Sequence, residues 1–133
     1  MNCDLIFYLS NKTSQCEKAL KKAISQLKLN LNNVHFSTSP KSFGEKLISC
    51  LESTNLVFVI GGLYSNETTS ITNVLSTALS KNPPDNYYKL KNPVANQDGY
   101  LIEKGNQILI ILPDSPDEIQ EMIDENVINY LKR

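Results

Sequence analysis

The sequence predicts an α/β fold, a three-layer α/β/α sandwich around a mostly parallel sheet with an antiparallel hairpin at residues 99–112. Three observations lead there. Short apolar runs alternate with stretches of helical periodicity over the first half of the chain. One run, Leu56–Ile60, is apolar at five consecutive positions, the pattern of a strand covered on both faces. Two further runs, 99–103 and 107–112, sit either side of Lys104-Gly105-Asn106, a hairpin signal.

Taken in order, residues 5–9 read as the first buried strand. Ser14 followed by Glu17 has the spacing of a capping box, which opens a helix with Leu20, Ala23, Ile24 and Leu27 on one face and Lys18, Lys21, Lys22 and Lys28 largely outside it. Residues 34–38 form a weaker strand carrying His35. Ser39-Pro40 is an N-cap with proline at the first helical position, and Phe43, Leu47, Ile48 and Leu51 make the apolar face of the helix behind it. Leu56–Ile60 is the third strand, followed by a helix with Ile71, Val74, Leu75, Ala78 and Leu79 at helical spacing. Residues 82–96, with Pro83, Pro84 and Pro93, read as the longest irregular stretch. After the hairpin, Ser115-Pro116-Asp117-Glu118 offers an N-cap and a capping box for one last helix bearing Ile119, Met122, Ile123, Val127, Tyr130 and Leu131.

Composition narrows the function. A chain of 133 residues suits a single domain, residues 1–133, with one core. No apolar run reaches the roughly 20 residues that cross a bilayer, and the start lacks a basic region and cleavage signal, so a cytoplasmic location without membrane contact is expected. Three scattered cysteines and one histidine fit no disulfide framework, no zinc site and no Ser-His-Asp scheme. Net charge is −1, which gives no general attraction for nucleic acid. The charge is unevenly divided: residues 1–50 hold seven lysines against three acids, whereas residues 51–133 hold six basic residues against eleven acids. The distribution fits solvated helix faces.

Ligands of open α/β sheets bind beyond the carboxyl ends of the strands. Here those ends read Ser10-Asn11-Lys12, then Gly61-Gly62 leading into Ser65, Asn66, Glu67, Thr68 and Thr69, and finally Leu112-Pro113-Asp114-Ser115. Glycines let the backbone turn and approach a ligand closely, and hydroxyls near a helix start suit phosphate. The pattern is not the phosphate loop that ends in Gly-Lys-Ser/Thr. On its own the glycine pair also fits an ordinary tight turn.

Taken together, these segments resemble the molybdopterin-binding-domain family of molybdenum-cofactor biosynthesis proteins and competence-damage-inducible proteins. The resemblance is carried by Val59-Ile60-Gly61-Gly62-Leu63, Asn92-Pro93-Val94-Ala95, Gly99-Tyr100 and the run from Ile111 to Ile119, in that order, and Ser10-Asn11-Lys12 is similar to the family's Ser-Asp-Arg. It implies a pterin or nucleotide ligand held by Ser10, Asn11, Lys12, Gly61, Gly62, Ser65, Asn66, Thr68, Thr69, Asn92, Pro113 and Ser115. It also implies a homotrimer or other homo-oligomer. Family enzymes adenylylate molybdopterin, and competence-damage-inducible relatives are linked to hydrolysis of nucleotide diphosphates such as ADP-ribose.

This chain departs from the pattern in three places. Tyr64 stands near a family glycine; Thr68, Thr69 or Ser70 stands where the family has an aspartate; and Leu-Pro-Gly has become Leu112-Pro113-Asp114. The expectation is therefore a degenerate binding domain with weak or no catalysis and no certain cofactor. An active nucleotidyltransferase or pyrophosphatase is the alternative, and it would need Mg²⁺ held by Glu67 or Asp114. A non-catalytic protein-interaction module is the third reading.

Overall fold

The computed structural model describes residues 2–63, 71, 74–75 and 83–132. Along the chain run β1 (Asn2–Tyr8), α1 (Thr13–Ala23), β2 (Asn30–Ser37), α2 (Pro40–Ser53), β3 (Leu56–Ile60), β4 (Asn86–Leu90), β5 (Gly99–Lys104), β6 (Gln107–Leu112), α3 (Pro116–Met122) and α4 (Glu125–Leu131). The strands form one sheet in the order β2-β1-β3-β6-β5-β4. β1 is parallel to β2 and β3, and β3 to β6, while β5 runs antiparallel to both β6 and β4.

This order decides where the helices lie. The step from β1 to β2 moves outward, and the step from β2 to β3 moves back past β1. Crossovers between parallel strands are right-handed, so a reversal of direction puts the two helices on opposite faces. Cys16, Ala19 and Leu20 of α1 accordingly pack on Cys3, Leu5 and Phe7, together with Ile119, Met122 and Val127 of the last two helices. Phe43, Leu47 and Cys50 of α2 pack on Ile6 and Tyr8 from the other side, with Ile71, Val74 and Leu75 beside them. The sandwich has three layers, as the sequence predicts. β3 is central and buried at every residue, which is why it reads as an unbroken apolar run.

The structure corrects several expectations. Residues 86–90 are not irregular but form β4, an antiparallel edge strand on β5. Four of its five residues are exposed, so it carries no burial alternation to read. The last helix is two helices. Asp124 accepts a hydrogen bond from the Val127 N–H (3.0 Å) and caps α4, ending the continuous apolar stripe that predicts one element. Lys104 pairs with Gln107, so the hairpin loop is only Gly105-Asn106. Its first residue alone has positive φ (57°), as in a type II′ turn. Neither Ser14 nor Ser115 makes a capping box: α1 starts from Lys12 and α3 from Ser115, and neither cap makes a side-chain hydrogen bond. Of the expected helix after β3, Ala78 and Leu79 lie outside the described residues.

Candidate functional site

All four parallel strands end on one edge of the sheet, and there β1 makes an unusual exit. Leu9 has φ of 52°, the left-handed region that non-glycine residues rarely enter, and its N–H bonds the Ser37 carbonyl of β2 (3.0 Å). Such a residue persists only when its surroundings over-determine it, and it clusters at functional turns. The turn carries Ser10, Asn11 and Lys12 directly into α1.

β3 leaves the sheet through Gly61 and Gly62, with φ of 107° and 77°. The Gly61 N–H continues the pairing to the Leu112 carbonyl of β6 (3.0 Å). A Cβ on Gly61 would fall on the Tyr8 carbonyl oxygen and sit 3.3 Å from the Ser10 Cβ. One on Gly62 would strike the Tyr8 ring, which is itself stacked on Phe43 at 4.7 Å between centroids. The glycine pair is thus explained first by close packing against the end of β1. The Gly62 carbonyl then accepts from the Ile71 N–H (3.1 Å).

β6 ends at Leu112, and buried Pro113 directs Asp114 back toward β1. Its carboxylate meets four donors there. The Ser10 hydroxyl donates to Oδ1 at 2.6 Å, the Lys12 N–H to Oδ1 at 3.3 Å, the Cys16 thiol to Oδ1 at 3.5 Å and the Asn11 N–H to Oδ2 at 2.8 Å. Burial works to raise the pKa of Asp114, but the bonds from Ser10, Asn11, Cys16 and Lys12 together outweigh it and hold the pKa below 3.8. Its negative charge beside the start of α1 is favoured by the helix dipole. The same environment silences Cys16: burial, then the Asp114 charge and hydrogen bond, push its pKa up to about 12, so it is a thiol donor and not a nucleophile.

The remaining predicted residues divide into three groups. Asn92 lies on the same edge but spends its side chain on its own loop. Its amide donates to the Gln97 carbonyl (3.0 Å) and to Glu118 Oε1 (2.6 Å), and its Oδ1 accepts from the Val94 and Ala95 N–H groups. At 6% exposure it positions the loop against α3. Ser115 stands at the head of α3, its N–H on the Pro113 carbonyl (2.9 Å). Ser65, Asn66, Glu67, Thr68 and Thr69 lie outside the described residues. Sequence reasoning missed Leu9, Cys16 and Glu118; only Glu118 had a local signal, and it pointed to a capping box. Among the described residues no group of three or more Cys, His, Asp or Glu side chains is placed to hold a metal ion. Asp114 faces N–H, O–H and S–H donors, the wrong partners for a cation.

Solved structures share this architecture across the whole chain. CinA from Thermoplasma acidophilum superposes with a TM-score of 0.71 at 16% identity, covering 98% of this chain and 95% of that one. The molybdopterin biosynthesis Mog protein of Mycobacterium ulcerans gives 0.73 at 14% identity, with the same coverage of 98% and 95%. MoaB of Thermus thermophilus gives 0.69 at 13%, covering 98% and 91%. The fold is that of the CinA, MoaB and MogA proteins.

Sequence likeness is to proteins named as competence-damage inducible. A Halothermothrix orenii protein named as competence-damage inducible is 35% identical over 81 residues, 59% of this chain and 19% of that protein. A Clostridium botulinum type A protein of the same name is 46% identical over 50 residues, 38% of this chain and 12% of the relative. The matched part is less than a fifth of the length of these curated relatives. No family model matches the chain. Among the described residues, no helix is long and apolar enough to cross a membrane.

Proposed function

We propose that the chain is a degenerate molybdopterin- or nucleotide-binding domain of the cofactor-biosynthesis and competence-damage-inducible type, one that holds a ligand weakly and turns it over slowly or not at all. The observation that carries this reading is the meeting of three strand ends. Ser10–Lys12, Gly61-Gly62 and Pro113–Ser115 converge on one edge of the sheet, where open α/β folds receive ligands. A pterin or nucleotide as the ligand class is supported by the names of the similar structures, two of which are molybdopterin biosynthesis proteins. The engagement of the Asp114 carboxylate by four donors of its own chain supports weak chemistry over an active transferase. A cytoplasmic homo-oligomer, trimer included, belongs to the same proposal and is read by light scattering.

A thermal-shift screen of molybdopterin, AMP, ATP and ADP-ribose, with and without Mg²⁺, tests it. A ligand that binds only the folded state raises its stability by mass action, about 2.7 kcal/mol at a hundred times Kd. The expected result is a modest rise in Tm only at high ligand concentration, with no product formed. Mg²⁺-dependent release of AMP from ADP-ribose, or adenylylation of molybdopterin, would restore the enzyme reading. No shift with any of the four would favour an interaction module.

A further inference from the structure

We infer that Asp114 is a resident anion: its carboxylate fills the one place on the β1–α1 turn where backbone and side-chain donors converge, and it closes that turn to phosphate. The inference rests on the proposed ligand edge and names what regulates it. Four donors from Ser10, Asn11, Lys12 and Cys16 point at a single carboxylate that arrives from 98 to 104 residues along the chain. Two of them are backbone N–H groups leading into a helix of 11 residues. This set suits any compact anion, since a phosphate oxygen and a carboxylate oxygen accept the same bonds.

Asp114 is not a passive neighbour. Buried Pro113 and the Gly61 N–H bond to Leu112 fix the chain on its amino side, and α3 begins two residues later, so the carboxylate is delivered to the turn from a rigid frame. A phosphate approaching the same donors meets both an occupied site and a like charge. The wild-type edge therefore admits ligands that bring no phosphate to this turn, or makes a phosphate displace Asp114 first. Either course weakens phosphate binding relative to a chain without the carboxylate.

The experiment is a titration of ¹⁵N-labelled protein with inorganic pyrophosphate, following the amides of Asn11 and Lys12 in the wild type, Asp114→Gly and Asp114→Asn. In the wild type these two amides are expected to stay still. In Asp114→Gly they should move saturably, with affinity at least about tenfold above the wild type, since one like charge at contact distance is removed even after screening. Asp114→Asn, which keeps the side-chain shape and loses the charge, should gain less. If Asp114→Gly does not give a dispersed, folded spectrum, the wild type and Asp114→Asn decide. Movement of Asn11 and Lys12 in the wild type equal to that in the variants would overturn the inference, as would no gain in either folded variant. A thermal shift of the wild type by molybdopterin or a nucleotide in that case leaves the proposed function standing and the inference alone refuted.

Discussion

The starts of α1 and α2 face the same chemical problem and solve it differently. At α2 everything is local: Ser39 is extended (φ −132°, ψ 151°), its hydroxyl accepts from the Ser42 N–H at 3.2 Å, and Pro40 follows it. At α1 the cap residue Lys12 offers no side-chain bond, and the lead-in N–H groups of Asn11 and Lys12 are taken by a carboxylate more than a hundred residues away. The Ser115-Pro116 start of α3 shares the Ser-Pro wording of α2, yet its serine makes no cap bond and Glu118 reaches Asn92 instead. Local residues set where a helix begins. Tertiary neighbours decide which acceptor serves its donors, and an acceptor from a distant segment can be removed without touching the helix.

The largest effect should come from breaking the frame beneath the α1 start. Gly61→Ala puts a Cβ onto the Tyr8 carbonyl at a φ that alanine disfavours, and urea unfolding is expected to show a loss of about 3 kcal/mol. Gly105→Ala makes a useful contrast: its φ is also positive, but no atom lies within 4 Å of the new Cβ, so the loss should be about 1 kcal/mol.

Next in size is Asp114→Asn, expected to cost about 1–2 kcal/mol at neutral pH, because charged acceptors bond more strongly and this one is partly solvated. The loss should depend on pH. The folded pKa of Asp114 is lowered from 3.8, so its contribution is present above that unfolded value and is lost as pH falls through the lower folded value. The stability gap between wild type and Asp114→Asn should therefore be full at neutral pH and shrink in acid below 3.8.

Ser39→Ala sits lower, at about 1 kcal/mol, with no such acid dependence, since a hydroxyl cap does not titrate. Smallest should be Ser14→Ala, within about 0.5 kcal/mol, because Ser14 lies inside α1 and is not its cap. A cost for Ser14→Ala equal to that of Ser39→Ala would erase the contrast between the two helix starts.

Burial explains what could be read in advance. Leu56–Ile60 lies in the middle of the sheet and advertises itself, as do Phe43 and Leu47 on the face of α2. β4 does not, because an edge strand of Asn86, Tyr87, Tyr88 and Lys89 has little to bury. The helix break at Asp124 was masked by apolar residues that continue into the same core on both sides of it. In the candidate site, the three strand ends were legible as loops following apolar runs. The pairing of Asp114 with Ser10, Asn11, Lys12 and Cys16 was not, since no periodicity links positions so far apart. In the sequence Asp114 stands out only as a departure from Leu-Pro-Gly; that it bonds its own chain is a tertiary fact.

The most direct measurement is an acid titration followed by NMR at the Asn11 and Lys12 amides of the wild type. If Asp114 holds these donors, both amide protons should shift together as its carboxylate takes up a proton, with a shared midpoint below 3.8. Amides that do not respond, or that respond with a midpoint at or above 3.8, would contradict the account.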